Sequence, residues 1–280
     1  MKHTVKGSLQ FILAIMLITS SCHKENTSFD YNQAVETVSD YVEAQQMTDL
    51  ILSTYFKAIT DSTLLTNGAS EIDGAFVTCM DSSTKIVIEY PSWGKDDGYG
   101  HYRKGKYEAS TESDFFDSLA VVNFTFHNFY YDDDSISVGN FTLENIGSTT
   151  NHYYLFNVNA TDVLRKFHDT TGNIKYQVEQ NFIRVKDPSS PYYTDDDYFK
   201  VSGNLTGVAR NGSTFNSTTN NTSNLIYYLS CQWINGGITE VDIPEFIYNA
   251  SIDFNNEGDC KNQYTYTINE NIFIRAFDGD

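Results

Sequence analysis

The sequence predicts a mainly β fold: an antiparallel meander or sandwich-like domain with one N-terminal α-helix, preceded by a leader and a short tether. Three observations predict it. Eight segments after residue 71 are rich in β-branched and aromatic residues, and many alternate polar with apolar positions. Clusters of Asn, Asp and Gly separate them, the chemistry of tight turns. Only one stretch, ahead of all of these, carries apolar residues at helical spacing.

The N-terminus is read first. Lys2, His3 and Lys6 form a basic head, and Leu9 to Ile18 is apolar apart from Gln10. A helix needs about 20 residues to cross a hydrocarbon core of ~30 Å, so this run is too short to span. With the small residues Thr19, Ser20 and Ser21 it has the form of a secretory signal peptide over residues 1–21. Cys22 follows at once. "ITSSC" resembles the box of bacterial lipoproteins, whose cysteine thiol receives a diacylglyceryl group before the peptide is cut ahead of it. Ser20 and Ser21 fill the small positions, and Thr19 stands where Leu is usual. Cys22 is therefore the expected lipidation site, with palmitate-like acyl chains contributing ~0.8 kcal/mol per buried CH₂. Residues 22–32 are polar and unpatterned, a flexible tether.

Residues 33–280 are expected to be one β-rich domain that begins with a helix over 33–60. Val35, Val38, Val42, Leu50, Ile51, Thr54, Tyr55, Ala58 and Ile59 recur at three- and four-residue steps and paint one apolar face. Glu36, Asp40, Glu43 and Asp49 fall on the other side, and Asn67-Gly68 supplies a stop. The helix should pack on a sheet, because a single stripe cannot bury itself. Strands are expected over 84–90, 120–131, 137–146, 152–161, 174–185, 199–208, 223–233 and 263–277. Between them stand Asp132-Asp133-Asp134, Thr171-Gly172-Asn173, Asn211-Gly212, Gly236-Gly237 and Asn255 to Gly258. The intervals are short and no second helical pattern appears, so the connections should be antiparallel hairpins. Pro188 and Pro191 in "KDPSSPYYTDDDY" mark a long loop inside one domain.

Charge narrows the partners. The formal net charge is −19, and removal of the leader sheds two basic residues and no acid. Such a field repels phosphate backbones and anionic lipid, which argues against nucleic acid and against unaided adhesion to a membrane. If Cys22 is acylated, Cys79, Cys231 and Cys260 remain, enough for one disulfide at most. Cys231 and Cys260 are the better candidates, since both fall in the C-terminal hairpins. No CxxC pair or other metal-ligand spacing occurs, so neither a metal nor a cofactor is expected.

Five blocks follow one another in a familiar order: "DDGYGHYRKGKYEA", "VVNFTFHNFYYDDDSISVGNFTLENIG", "KVSGNLTGVARNGSTF", "LSCQWINGGITEVDI" and "GDCKN". Together they resemble a family of uncharacterised Bacteroidota envelope lipoproteins, from about Asn67 to the C-terminus. The resemblance implies an address and a fold class, an N-terminal helix followed by an antiparallel β domain, and no reaction. The chain departs from the family at Pro91 to Gly94, where "YPSWGKDD" replaces a shorter turn. Surface export in that phylum resembles a rule of acidic residues after the cysteine. His23-Lys24-Glu25-Asn26 is mixed, which favours the periplasmic face of the outer membrane over the cell surface.

Three constellations invite a functional reading. "EVDIPE", Glu240 to Glu245, resembles the paired-acid strand of laminarinase-like glycoside hydrolases, in which two carboxyl groups must stand ~5 Å apart. Strict alternation puts Glu240 and Asp242 on one face and Glu245 on the other, and Pro244 suits a strand end, so a solvated edge is the better reading. The triplets Asp132–Asp134 and Asp195–Asp197 match no calcium loop and read as solvated turns. The adjacent tyrosines Tyr130-Tyr131, Tyr153-Tyr154, Tyr192-Tyr193 and Tyr227-Tyr228 must each turn one ring away from the core. An exposed face of them would suit a glycan or protein ligand. The expected function is a lipid-anchored, non-catalytic binding or structural component of the cell envelope. A carbohydrate-active enzyme and a surface adhesin are the alternatives.

Overall fold

A helix whose residues Ala44 to Phe56 are all buried has no side left for solvent, because that run exceeds three turns. This helix, α1 (Tyr31–Thr60), is the axis of the fold. The computed structural model describes residues 30–80, 84–148, 154–185, 196–246, 249–254 and 259–277. Residues 31–280 make one compact unit. The leader, Cys22, the tether before Asp30 and the Pro188–Pro191 loop lie outside the described residues.

Asp61 accepts a bond from the Leu64 N–H and caps a short second helix, α2 (Ser62–Asn67). Gly68 takes the left-handed conformation and returns its N–H to the Leu64 carbonyl. The Asn67-Gly68 stop therefore ends α2, while α1 ends earlier, at Thr60.

The sixteen strands of the described residues belong to one antiparallel sheet. The first five are β1 (Ala69–Ile72), β2 (Ala75–Met80), β3 (Lys85–Asp96), β4 (Tyr102–Ser110) and β5 (Val121–Tyr131). Then come β6 (Asp134–Ser137), β7 (Asn140–Ser148), β8 (Tyr154–Lys166), β9 (Asn173–Val185) and β10 (Tyr198–Val208). The last six are β11 (Thr214–Thr219), β12 (Leu225–Tyr228), β13 (Ile238–Asp242), β14 (Ala250–Asp253), β15 (Tyr264–Ile268) and β16 (Asn271–Arg275). Their spatial order follows the chain closely. β6 and β7 share the space between β5 and β8, β12 pairs with β10, and β1 and β16 are the two ends. The fold is thus mainly β and antiparallel, with one long N-terminal helix.

The meander curls around α1 instead of lying under it. Tyr41 meets Phe215 of β11 and the Thr239 hydroxyl of β13, and Gln45 exchanges amide bonds with Gln180 of β9. The Ile51 carbonyl accepts from the Tyr107 hydroxyl of β4. Tyr55 packs on Phe124 of β5, and Phe56 on Phe156 of β8 and Phe199 of β10. The expected polar side of the helix is consequently covered. Asp40 and Asp49 are fully buried, because strands approach from that direction too.

Hairpin turns follow the left-handed preferences of Asn, Asp and Gly. Asp132 and Asp133 both have positive φ between β5 and β6, as do Asp73-Gly74 between β1 and β2. The run 263–277 is a hairpin and not one strand, because Asn269 and Glu270, at φ 46° and 66°, turn β15 back as β16. Cys231 and Cys260 form a disulfide with Cα atoms 5.6 Å apart, and Cys79 is a half-buried free thiol. No helix of the described residues is long and apolar enough to cross a membrane.

Candidate functional site

The charged side chains inside the sheet are mostly committed to one another. Arg165 of β8 bonds Asp134 through Nε and Nη2, at 2.9 and 2.8 Å, and its Nη1 stands 3.1 Å from Glu43 of α1. Arg210 meets Asp40 and Glu43, and both guanidinium groups sit over the Phe167 ring, at 4.7 and 4.3 Å. Burial pushes the Glu43 and Asp40 carboxyls up, and the two arginines partly reverse the shift. The Asp134 carboxylate also accepts from the His168 backbone and lies 3.1 Å from its Nδ1, which raises the imidazole. Further along, Arg103 bonds Asp97 at 2.6 Å, the Tyr90 hydroxyl at 3.1 Å and Thr54 of the helix. Arg184 and Asp197 form a third buried pair. These groups tie helix to sheet.

Each aspartate triplet thus sends one described member into the core, and Asp195 lies outside the described residues. Asp134 and Asp197 are buried and paired, and Asp132 accepts from the Tyr102 N–H with His101 Nδ1 at 2.6 Å. Of Asp132–Asp134 only Asp133 is well exposed, bonded to Lys104. Among the described residues no group of His, Cys, Asp and Glu is arranged to hold a metal ion.

Glu240 and Asp242 share the exposed face of β13, and Glu240 accepts from the Ser251 hydroxyl at 2.7 Å. Glu245 lies beyond the strand end and accepts from both the N–H and the hydroxyl of Thr214. The two glutamates are therefore engaged with different strands.

Among the described residues the paired tyrosines do not make an exposed face. Tyr131 and Tyr227 point inward and are buried. Their neighbours are covered in part: Lys104 lies 4.8 Å over the Tyr130 ring, and Tyr228 packs on Tyr198. Tyr154 packs on Phe116. Tyr153, Tyr192 and Tyr193 lie outside the described residues.

Among the described aromatic side chains Trp93 is the most exposed, at 84 %, ahead of Phe76 and Tyr102. It rides on an interruption of β3. Tyr90 pairs with Gly105 and Lys95 pairs with Arg103, so Pro91 to Gly94 stand opposite Lys104 alone. The sequence explains the bulge: Pro91 has no N–H for the ladder, and Gly94 supplies a positive φ of 87°. Beside it, Glu71, Phe76 and Glu89 pair across β1, β2 and β3 and so share one row on the outer face. Bulge and row enclose a recess of about 420 Å³ lined by Glu71, Phe76, Glu89, Pro91, Trp93 and Lys95, among others. Phe76 is itself 58 % exposed, and Lys95 reaches Glu71 at 2.9 Å. Chemically the recess combines two aromatic surfaces with hydrogen-bond donors and acceptors on its rim. A second recess, of about 260 Å³ over β8, β9 and β10, offers amides and hydroxyls such as Asn159, Gln177 and Asn204 but no ring.

Sequence reasoning marked Pro91–Gly94 as a departure and missed what it builds. The available signal was a tryptophan between proline and glycine at the end of an otherwise regular strand. No protein-family model, curated protein or solved structure matches this chain.

Proposed function

We propose that this is a lipid-anchored protein of the bacterial cell envelope whose β domain serves as a non-catalytic binding component. The leader and Cys22 support the anchor, on the outer membrane with its periplasmic face favoured, in the manner of the Bacteroidota lipoproteins that the sequence resembles. The acidic balance of the chain supports a covalent attachment, since the surface itself would be repelled by anionic lipid.

The observation that carries the binding reading is Trp93. Trp93 stands beside a second exposed ring, Phe76, at a formed recess rimmed by polar groups, and an apolar patch so rimmed is the kind of surface that marks a binding site. The carboxylates support a non-catalytic role: arginines engage the buried Asp134, Asp197 and Asp40, and a serine hydroxyl engages the exposed Glu240.

Cell fractionation tests the anchor. The Cys22→Ala protein should leave the membrane pellet for the soluble fraction after a salt wash, and mass spectrometry of the native N-terminus should find an acylated cysteine. A Cys22→Ala protein that stays in the pellet refutes the anchor.

A further inference from the structure

The geometry points to a neutral saccharide as the ligand of the Trp93 recess, an inference that rests on the binding reading above. A pyranose ring has one face of C–H groups and a rim of hydroxyls that both donate and accept. Its apolar face needs an open aromatic surface, and its rim needs polar groups of both kinds nearby. The recess supplies both. The Trp93 and Phe76 rings are 84 % and 58 % exposed, so a flat ligand can reach them without entering a deep cleft. Glu71 and Glu89 accept, the Lys95 ammonium donates, and the Ser92 hydroxyl does either.

Other ligand chemistries fit less well. Inorganic phosphate or another anion meets two carboxylates and a chain of formal charge −19. A quaternary ammonium would find aromatic faces and acids, the usual cage for a cation. Here, however, the Lys95 ammonium is already the partner of Glu71, at 2.9 Å, so a second cation would have to compete with it for that carboxylate. A wholly apolar ligand would leave the rim unpaired, which costs binding free energy for each polar group desolvated. The fold also holds the platform in place. Lys95 resumes the β3–β4 ladder just after the bulge, and Phe76 and Glu89 are paired residues of strands bonded on both sides, so the recess is preorganised.

The test uses the mature protein. Trp93 and Trp233 are its two tryptophans, so a Trp233→Phe protein reports emission from Trp93 alone. It would be titrated with neutral oligosaccharides of glucan, mannan and chitin type, and separately with choline chloride and with inorganic phosphate. The expected result is a saturable blue shift with at least one neutral oligosaccharide and none with choline or phosphate. Calorimetry on otherwise native protein should then show that affinity falls at least tenfold in Trp93→Ala and several-fold in Glu89→Gln, with unchanged thermal unfolding.

Saccharide binding that survives Trp93→Ala overturns the inference. A shift with choline alone also overturns it and leaves the binding reading standing. If no probe acts, the saccharide assignment fails, and a photo-crosslinker attached at Ser92→Cys in native membranes separates the remaining cases. A discrete protein adduct keeps the binding reading with a protein partner, and no adduct refutes both.

Discussion

Arg210 closes on Asp40 across 170 residues of sequence with its backbone N–H and two guanidinium nitrogens. The backbone N–H is 2.6 Å from Oδ2, and Nε is 2.7 Å from Oδ1. The pair fastens the third turn of the central helix to the turn that follows β10. Asp40 is fully buried, so its charge depends on this one arginine.

Removing Arg210 should therefore be severe. In Arg210→Ala the Asp40 carboxylate keeps its burial and loses its counter-charge, at a cost of about 3–5 kcal/mol at neutral pH. Without the arginine, burial and the nearby Glu36 charge act on Asp40 unopposed and raise its pKa further. The loss should shrink as pH falls into the carboxylate range, where the proton replaces the missing cation. Urea denaturation of both proteins at neutral and acid pH measures it, and an equal loss at both would exclude the charge explanation.

Asp49 is met by an amide where Asp40 is met by an arginine. It is fully buried, and its one described hydrogen bond comes from Gln45 at 3.1 Å. Burial pushes its carboxyl well above the usual range, so the folded protein holds a proton there that the unfolded chain releases near pH ~3.9. The stability tied to that proton is complete below the unfolded value and is lost as pH rises through the folded one. Asp49→Asn keeps the shape and removes the titration. The stability difference between variant and parent should grow in the variant's favour as pH rises from about 4 to 7. Parallel curves would show that Asp49 is ionised in the fold.

These two aspartates also show where the sequence was opaque. The helix was readable from Val38, Val42, Ile51 and Tyr55, and its length came out two residues short at the start. Asp40 and Asp49 looked like a solvent face because their partners, Arg210 and Gln45 with Gln180, are identified only by the fold. β11, "TFNSTT", was passed over for lack of apolar residues. Its inward hydroxyls instead bond neighbouring strands: Ser217 to the Leu205 carbonyl and Thr219 to the Thr239 hydroxyl. β4 is hidden by its charges: Arg103 turns inward to Asp97, while Lys104, Lys106 and Glu108 lie toward the outer face, where Lys85 of β3 and then Lys106 hold the Glu108 carboxyl down at about 2. Strands with regular alternation, such as β9, were legible throughout.

The disulfide between Cys231 and Cys260 should contribute to stability chiefly through the unfolded chain. The sequence separation of 29 corresponds to about 3–4 kcal/mol of lost chain entropy. A Cys231→Ser, Cys260→Ser protein should unfold at correspondingly lower denaturant, and reductant should shift the parent toward it while leaving the variant unmoved. Peptide mapping without reductant that linked Cys79 to either partner would refute the pairing.

Two glycines beside Trp93 should respond very differently to one added methyl group. Gly105 faces the start of the bulge from β4 and has a φ of 87°. A Cβ there would stand 1.8 Å from the Asn128 carbonyl oxygen and 2.5 Å from its carbon, both backbone atoms of β5. The ladder between β4 and β5 would have to part, so left-handed strain and overpacking act together, and Gly105→Ala should cost about 2–5 kcal/mol. Gly94 has the same φ but open space, its nearest neighbour being a Tyr102 ring carbon at 3.7 Å. Gly94→Ala should therefore carry only the conformational term, about 1–2 kcal/mol, and release it by shifting the bulge. Denaturation midpoints compare the two losses, and Trp93 emission in a Trp233→Phe background reports the platform. Gly94→Ala should disturb that emission more than its small stability loss suggests, because Gly94 adjoins the ring. Equal losses for the two variants would mean that β4 does not cross β5 as closely as the Gly105–Asn128 approach requires.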